Sequence, residues 1–216
     1  MCGIVGYIGF RRACERILEG LQRLEYRGYD SSGIAVLDHE GRLSVQKSAG
    51  RLANLEALIT EDLPDSSIGI GHTRWATHGP PTDGNAHPHL GGGCAKGQGH
   101  SVAVVHNGVV ENYHSIKARL EVEGYVFQSE TDSEVIAHLI DSCLKQIISE
   151  GPRLTDDVTD SPYVVAVREA IGHLRGTYGL LVLFRDQPDL LVAARLGSPL
   201  VIGVGDDEFF IASDAS

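Results

Sequence analysis

The chain is poor in positive charge, and this deficit excludes several broad classes of partner. Its 216 residues carry 18 Lys and Arg against 29 Asp and Glu, a formal net charge of −11 at pH 7. Because nucleic acids and anionic membranes attract a basic face, we expect neither as a partner. No apolar run approaches the ~18 residues of a membrane-spanning helix, and the N-terminal segment lacks the basic region of a secretory signal. These absences predict a cytoplasmic protein.

Cysteine and proline are also scarce. The four cysteines include no pair at C-x-x-C spacing, and there are only 8 prolines. A disulfide framework normally packs more cysteines into a shorter chain, so we predict reduced thiols. Glycine, with 26 copies, is abundant instead, which predicts many tight turns and backbone-lined sites. With 42% hydrophobic and 22% charged residues and no linker-like segment, the composition is that of one folded domain.

Hydrophobic periodicity predicts an α+β fold. Residues 4–8 read as a buried strand, and apolar positions at helical spacing between 14 and 24 predict an amphipathic helix. A second helical stripe spans 135–147, preceded by Thr131-x-x-Glu134, the pattern of a capping box. Four short apolar runs between residues 180 and 212, separated by turn residues, predict a β-meander.

Cys2 is the first candidate for chemistry. If Met1 is removed, this residue carries both a thiol, of pKa near ~8.5, and a free α-amine, of pKa near ~8. A nucleophile and a general base would then sit on one residue. Position alone favours a plainer interpretation, a small buried residue at the start of a strand.

Further polar groups outline an amino-acid site. Arg74 offers charge-assisted donors to a carboxylate, and Asp132 offers a carboxylate to an ammonium group. The Asn107-Gly108 pair offers a side-chain amide and an unobstructed backbone N–H to an oxyanion. Each has a structural alternative: Arg74 stacked on Trp75, Asp132 as a helix cap, and Asn107-Gly108 as a type I′ hairpin turn, which spacing alone favours.

The order of several motifs resembles one enzyme family. The start CGIVG at 2–6 is similar to the class II glutamine amidotransferases. Longer motifs resemble their glucosamine-6-phosphate synthase branch, the isomerizing glutamine–fructose-6-phosphate transaminases. These motifs are LEYRGYDS at 24–31, TRWATHG at 73–79, NAHPH at 85–89, VHNG at 105–108, SETD at 129–132 and GSPLVIG at 197–203.

The resemblance implies a fold and a set of roles. The fold is the four-layer α/β/β/α sandwich of the N-terminal-nucleophile hydrolases, and the reaction is hydrolysis of L-glutamine to glutamate and ammonia without a cofactor. The implied catalytic residues are Cys2, Asn107 and Gly108, and Arg27 has an orienting role. The implied glutamine-binding residues are Arg74, Trp75, Thr77, His78 and Asp132.

The resemblance also implies a larger protein. Residues 2–216 correspond to the glutaminase domain, and the sugar-isomerase domains of the family, which bind fructose 6-phosphate, are expected beyond it. In the full-length family enzyme the ammonia converts fructose 6-phosphate to glucosamine 6-phosphate. That longer enzyme is expected to be a homo-oligomer.

Three other interpretations remain open from the sequence. A purine-pathway amidotransferase shares the CGIVG start. A zinc site could draw on His87, His89, Cys94 and His100, although glycines between them would make a loose cage, and we expect no metal. A binding module without catalysis would have little reason to keep Cys2, Arg74, Asn107, Gly108 and Asp132 together.

Overall fold

A computed structural model describes residues 2–59, 64–76, 79–93, 99–150 and 161–215. The strands within these residues are β1 (Gly3–Ile8), β2 (Ser31–Leu37), β3 (Leu43–Ala49), β4 (Ile68–Arg74), β5 (His89–Gly92), β6 (His100–Val110), β7 (Gly176–Phe184), β8 (Leu191–Leu196), β9 (Val201–Gly205) and β10 (Glu208–Ala212). The α-helices are α1 (Ala13–Leu24), α2 (Leu52–Leu58), α3 (Tyr113–Val122), α4 (Glu134–Glu150) and α5 (Pro162–Gly172).

The strands form two antiparallel sheets. The first sheet has the order β3-β2-β4-β1-β10-β9, and the second has the order β5-β6-β7-β8. The predicted meander of the C-terminal part is therefore wrong, although its four strands exist. β7 and β8 pair in the second sheet, whereas β9 and β10 pair in the first. The turn residues between the apolar runs mark the ends of the strands, but they do not determine in which sheet the next strand pairs.

Three apolar layers separate four layers of secondary structure. Residues of β1 alternate between two of them: Ile4 packs between the sheets, and Val5 and Tyr7 pack beneath α1. Successive side chains of a strand point to opposite faces, so a sheet covered on both sides is apolar at every position. The third layer lies between the second sheet and helices α3, α4 and α5. The structure thus confirms the four-layer α/β/β/α sandwich.

Glycines in β4 allow α1 to lie close to the first sheet. A Cβ atom at Gly71 would approach the side chain of Ile17 to 2.4 Å, and one at Gly69 would approach it to 2.8 Å. The face of β4 that looks toward the helix is therefore flat. Its other face carries Ile68 and Ile70, which fill the space between the sheets.

The predicted capping box at α4 does not form. The Glu134 carboxylate accepts hydrogen bonds from the backbone N–H groups of Gln128 and Ser129, at 2.9 and 2.7 Å, and Thr131 bonds to His89 instead. A capping box is a local pattern, and here the tertiary packing of the segment before α4 takes both side chains. In the part of the chain that the structure describes, no helix is long and apolar enough to span a membrane.

Candidate active site

The space between the two sheets changes from apolar to polar at one end. Along β4, Ile68 and Ile70 are core residues of this layer, and His72 and Arg74 follow at the same two-residue spacing. Along β6, Ala103 and Val105 belong to the layer, and Asn107 follows in the same way. Cys2 precedes Ile4 of β1 by two residues. The strand period therefore brings the polar ends of three strands together.

The Cys2 thiol lies at this end, beside the backbone of Trp75. The Trp75 N–H donates a hydrogen bond to Cys2 Sγ over 3.2 Å, and Sγ is 3.6 Å from the Trp75 carbonyl oxygen. Burial raises the pKa of the Cys2 thiol above its ordinary value, and the hydrogen bond from Trp75 opposes part of this rise. The thiol is thus predominantly protonated near neutral pH, so a nucleophilic role requires a base to take its proton.

Asn107 joins Cys2 to the second sheet. Its Nδ2 donates to the Cys2 carbonyl oxygen at 3.0 Å, and its Oδ1 is 3.0 Å from Nε2 of His72. β6 continues through Asn107 and Gly108, which pair with Gly179 and Tyr178 of β7. The hairpin alternative for this dipeptide is therefore wrong. Spacing favoured it because Asn-Gly is a strong turn signal, but pairing along the whole of β6 overrides that preference.

Gly108 occupies a position that only glycine fits. Its φ is +142°, and a Cβ atom there would come within 2.0 Å of the Thr177 carbonyl oxygen and 2.9 Å of His106 Nε2. A side chain at this position would have to displace the backbone of β7. Gly108 also lines the Cys2 pocket.

Arg74 and Asp132 are both buried next to the thiol. Arg74 is 4% exposed and donates to the carbonyl oxygens of Gly79 and Pro80, at 3.3 Å each. Asp132 is 5% exposed, and its Oδ2 accepts a hydrogen bond of 2.7 Å from the Val110 N–H. A cation and an anion therefore border the same pocket as Cys2. The bond to Val110 replaces the helix-cap alternative for Asp132.

Trp75 begins the segment that borders the thiol on its outer side. Its side chain is 47% exposed and packs edge-on against Tyr29, with the ring centroids 5.3 Å apart. The next N–H, of Ala76, donates to the Asp30 carboxylate. Thr77 and His78, the other two predicted glutamine-binding residues of this segment, lie outside the described residues.

Arg27 lies in a single 3₁₀ turn, Glu25–Arg27, and contacts the C-terminal segment. Its guanidinium forms an ion pair with Asp214, which also accepts a 2.9 Å hydrogen bond from the Tyr26 hydroxyl. The pocket at Cys2 is not lined by Arg27. The next residue, Gly28, abuts the backbone of Arg74 and Trp75, so this turn packs against the segment that contacts Cys2.

Buried histidines surround the polar end of the layer. His72 stacks on His87 with centroids 4.2 Å apart, and His87 meets His89 edge-on at 4.5 Å. Burial lowers the pKa of His72 and of His89 to about 3 and that of His87 well below its ordinary value. Among the described residues, no group of three or more His, Cys, Asp or Glu side chains is arranged to hold a metal ion, and Cys94 of the zinc alternative lies outside them.

The cavity at Cys2 is small. It measures about 30 Å³ and is lined by Cys2, Arg74, Trp75, His87, His106, Gly108, Thr131, Asp132 and Ser133. This volume has room for one or two water molecules. A larger cleft, of about 520 Å³, lies between α1 and strands β9 and β10, and the residues that line it include Arg16, Ile202 and Phe210 but none of the predicted site residues that the structure describes.

The sequence patterns did not single out His72, which contacts Asn107, or His106 and Ser133, which line the pocket. His72 bonds to Asn107, and His106 Nδ1 is 2.8 Å from the Ser133 hydroxyl. A signal for His72 exists in the sequence, because it continues the alternation of Ile68 and Ile70 on the face that packs between the sheets. His106 lies on the opposite face of β6, and nothing in the strand pattern distinguishes it from a core residue.

Comparisons with known proteins point to one family. A family model described as a glutamine amidotransferase domain matches residues 94–216. The glutamine–fructose-6-phosphate aminotransferase [isomerizing] of Chlorobaculum tepidum is 49% identical over 219 residues, which cover 100% of this chain and 33% of that protein. The enzyme of the same name from Pseudomonas putida is 50% identical over 214 residues, covering 99% of this chain and 32% of that protein.

Solved structures of lower identity share the fold. The glutamine phosphoribosylpyrophosphate amidotransferase of B. subtilis, complexed with ADP and GMP, superposes with a TM-score of 0.74 at 27% identity, over 98% of this chain and 42% of that chain. A glutamine aminotransferase class-II domain protein from Silicibacter pomeroyi superposes with a TM-score of 0.58 at 17% identity, over 98% of this chain and 88% of that chain.

The chain spans about a third of the length of the sequence relatives it matches. The family match is nevertheless broad, because the domain model covers more than half of the chain and both aminotransferases align with nearly all of it. The aligned region includes β6, with the Asn107-Gly108 pair, and the segment that carries Asp132. On this evidence the chain belongs to the glutamine amidotransferase family.

Proposed function

We propose that this chain hydrolyses L-glutamine to glutamate and ammonia through a thioester on Cys2. The observation that carries the proposal is the convergence of Cys2, Asn107 and Arg74 at the polar end of the layer between the sheets. Arg74 and Asn107 come from strands of different sheets and Cys2 directly precedes β1, so their meeting is a property of the fold and not of one segment. The names of the relatives support the same substrate.

The proposed reaction uses the two groups of the N-terminal residue. After removal of Met1, the α-amine of Cys2 takes the thiol proton, and the thiolate attacks the side-chain amide carbon of glutamine. The C–N bond then breaks, the proton passes to the leaving nitrogen, and ammonia departs. Water adds to the thioester and releases glutamate with the thiol restored. Because burial raises the pKa of this thiol, the adjacent amine is needed to generate the thiolate.

The other residues are assigned by charge and position. Asn107 Nδ2 has two hydrogens, one of which is donated to the Cys2 carbonyl oxygen. We assign the second, with the Gly108 N–H, to the oxyanion that forms on the amide oxygen. Arg74 would bind the glutamine α-carboxylate and Asp132 the α-ammonium. Since the cavity has room for only one or two waters, Trp75, which lines it, would have to move outward to admit glutamine. We assign Thr77 and His78 to glutamine binding on the family resemblance.

The direct test is turnover of glutamine by the purified protein. We expect equal amounts of glutamate and ammonia from glutamine, and no comparable release from asparagine, whose amide is one methylene closer to the α-carbon. Intact mass should show that Met1 is absent, and preparations that retain Met1 should be inactive. If protein lacking Met1 releases no glutamate, the proposed function is wrong.

Replacing Arg74 should weaken substrate binding more than chemistry. The variant Arg74→Ala removes a buried cation from the pocket, and a hydrogen bond to a charged group contributes about 1.5–3 kcal/mol. We therefore expect the KM for glutamine to rise roughly 10- to 100-fold, with a smaller change in kcat. Steady-state kinetics measures both constants. A fall in kcat at constant KM would contradict the assignment of Arg74 to the α-carboxylate.

Replacing Asn107 should affect kcat more than KM, the opposite of what we expect for Arg74. An oxyanion donor acts in the transition state, so Asn107→Ala should lower kcat by ~10²-fold or more with little change in KM. The matched control is Asn112→Ala, because Asn112 lies just beyond the C-terminal end of β6 and bonds instead to the backbone of His173 and Arg175. Equal losses in the two variants would remove the support for a specific role of Asn107.

We also propose the larger setting that the relatives suggest. Residues 2–216 would serve as the glutaminase domain of a longer, homo-oligomeric aminotransferase that passes ammonia to fructose 6-phosphate. The identities of 49 and 50% to the isomerizing enzymes, against 27% to the phosphoribosylpyrophosphate amidotransferase, favour this over the purine-pathway alternative. A cytoplasmic location would keep the Cys2 thiol reduced, as it is in the structure together with Cys14 and Cys143.

A further inference from the structure

We propose that His72 is a positioning residue that fixes the orientation of the Asn107 amide for oxyanion binding. This inference rests on the proposed function. His72 belongs to β4 of the first sheet and Asn107 to β6 of the second, so their 3.0 Å contact crosses the space between the sheets. Neither the comparisons nor the sequence motifs assign a role to His72.

The atoms in contact define which way the amide faces. The Cys2 carbonyl oxygen can only accept a hydrogen bond, so the Asn107 atom 3.0 Å from it must be the donor Nδ2. The other end of the amide, Oδ1, then faces Nε2 of His72 and requires a donor there. His72 must therefore carry its proton on Nε2. A half-turn of the amide would place two acceptors against each other at the Cys2 carbonyl and direct Oδ1 toward the developing oxyanion.

The surroundings of His72 keep it in the required form. Its side chain is 1% exposed, and burial lowers its pKa to about 3, so the ring is neutral at any pH at which the protein would work. The ring is stacked on His87 with the planes 24° apart, and this stacking limits its rotation. A neutral, fixed ring presents one N–H to Asn107 and does not exchange protons with the reaction.

Its place in the fold explains why a histidine stands there. His72 pairs with Ile4 in the register of β1 and β4, two residues along the chain from Cys2. An aliphatic residue would continue the alternation of Ile68 and Ile70, but it would leave Asn107 Oδ1 without a donor in a buried position. His72 therefore sits where the apolar layer ends and acts through Asn107, without touching the substrate.

A matched pair of amide variants tests this role. In His72→Gln the side-chain nitrogen reaches the position of Nε2, whereas in His72→Asn it reaches only the position of Nδ1, away from Asn107. We expect His72→Asn to lower kcat roughly tenfold, the cost of one buried hydrogen bond, with the KM for glutamine unchanged within about twofold. His72→Gln should recover most of the loss. Equal kcat in the two variants would overturn the proposal.

A double-mutant cycle separates positioning from general damage. Once Asn107→Ala has removed the amide, His72→Asn should change kcat by less than about twofold, because His72 acts only through that amide. If the kcat losses of the two single variants multiply in the double variant, His72 acts independently of Asn107, and the inference is overturned. Alkylation of Cys2 by iodoacetamide forms no oxyanion, so its rate should be the same in wild type and in His72→Asn.

The remaining control addresses burial. His138 on α4 is 2% exposed and does not line the Cys2 pocket, so His138→Asn should leave kcat within about twofold. A tenfold loss in His138→Asn as well would overturn the specific role of His72. If wild-type protein does not hydrolyse glutamine, the proposed function fails. If wild type is active and His72→Asn matches it, only the present inference fails.

Discussion

Replacing Cys2 by alanine should abolish glutamine hydrolysis. The thiol is the group that attacks the glutamine amide in the proposed mechanism, and removal of a nucleophile that acts together with its base costs at least ~10⁴-fold in kcat. The loss should appear in kcat, because Arg74 and Asp132 remain to bind glutamine. Calorimetry with Cys2→Ala should therefore still detect glutamine binding. Undiminished turnover in this variant would show that the mechanism is wrong.

Two other cysteines provide matched controls. Cys14 on α1 and Cys143 on α4 are buried in the helix-covered layers, one on each side of the sandwich. Burial raises the pKa of Cys14 and raises that of Cys143 to about 11, so both are poor nucleophiles. Cys14→Ala and Cys143→Ala should keep kcat within about twofold of wild type. A loss as large as that of Cys2→Ala in either variant would mean that thiol removal acts through stability.

Mild acid should destabilise the protein strongly. His72, His87 and His89 have pKa values far below the ordinary ~6.5, because burial disfavours their charged forms. The unfolded chain therefore binds protons below pH 6.5 that the folded protein excludes, and stability falls as the pH falls. Between pH 7.5 and 5.5, each histidine should lower the free energy of unfolding by about 1.4 kcal/mol, and the three together should lower it by about 4 kcal/mol.

Urea unfolding at pH 7.5 and 5.5 measures this loss. The lower pH lies above the ordinary range of carboxylates, so Asp and Glu contribute little to the difference. The variant His89→Gln should reduce the difference between the free energies of unfolding at the two pH values by about 1.4 kcal/mol. The control variant His39→Gln, at an exposed position, should leave this difference unchanged. Equal or greater stability at pH 5.5 would contradict the prediction.

The sequence predicts much of the local structure and the family. The β1 strand, the amphipathic α1 and the long α4 follow from periodicity, because burial of one face is a local property of the chain. The motifs at Cys2, Arg74, Asn107 and Asp132 predict an amidotransferase, and the comparisons confirm the family. The meander and the capping box are wrong because strand partners and the contacts of Thr131 and Glu134 depend on segments distant in sequence.

The Asn107-Gly108 pair shows the same limit at the site. Spacing alone favoured a hairpin, and only the nine-pair ladder between β6 and β7 shows that the strand continues through it. His72 is a related case. Its alternation with Ile70 is visible in the sequence, but its hydrogen bond to Asn107 joins two sheets whose separation no local pattern determines.

The sequence alone determined the deficit of positive charge, the scarcity of cysteine, the strand and helix periods and the motifs of the site, since each depends on residues close together in the chain. Only the tertiary structure decided which strands share a sheet, that Asn107 reaches the Cys2 carbonyl, and that His72 faces the Asn107 amide. These contacts join residues 35 to 105 positions apart. They depend on how two sheets pack face to face, and that packing is fixed by the whole core together.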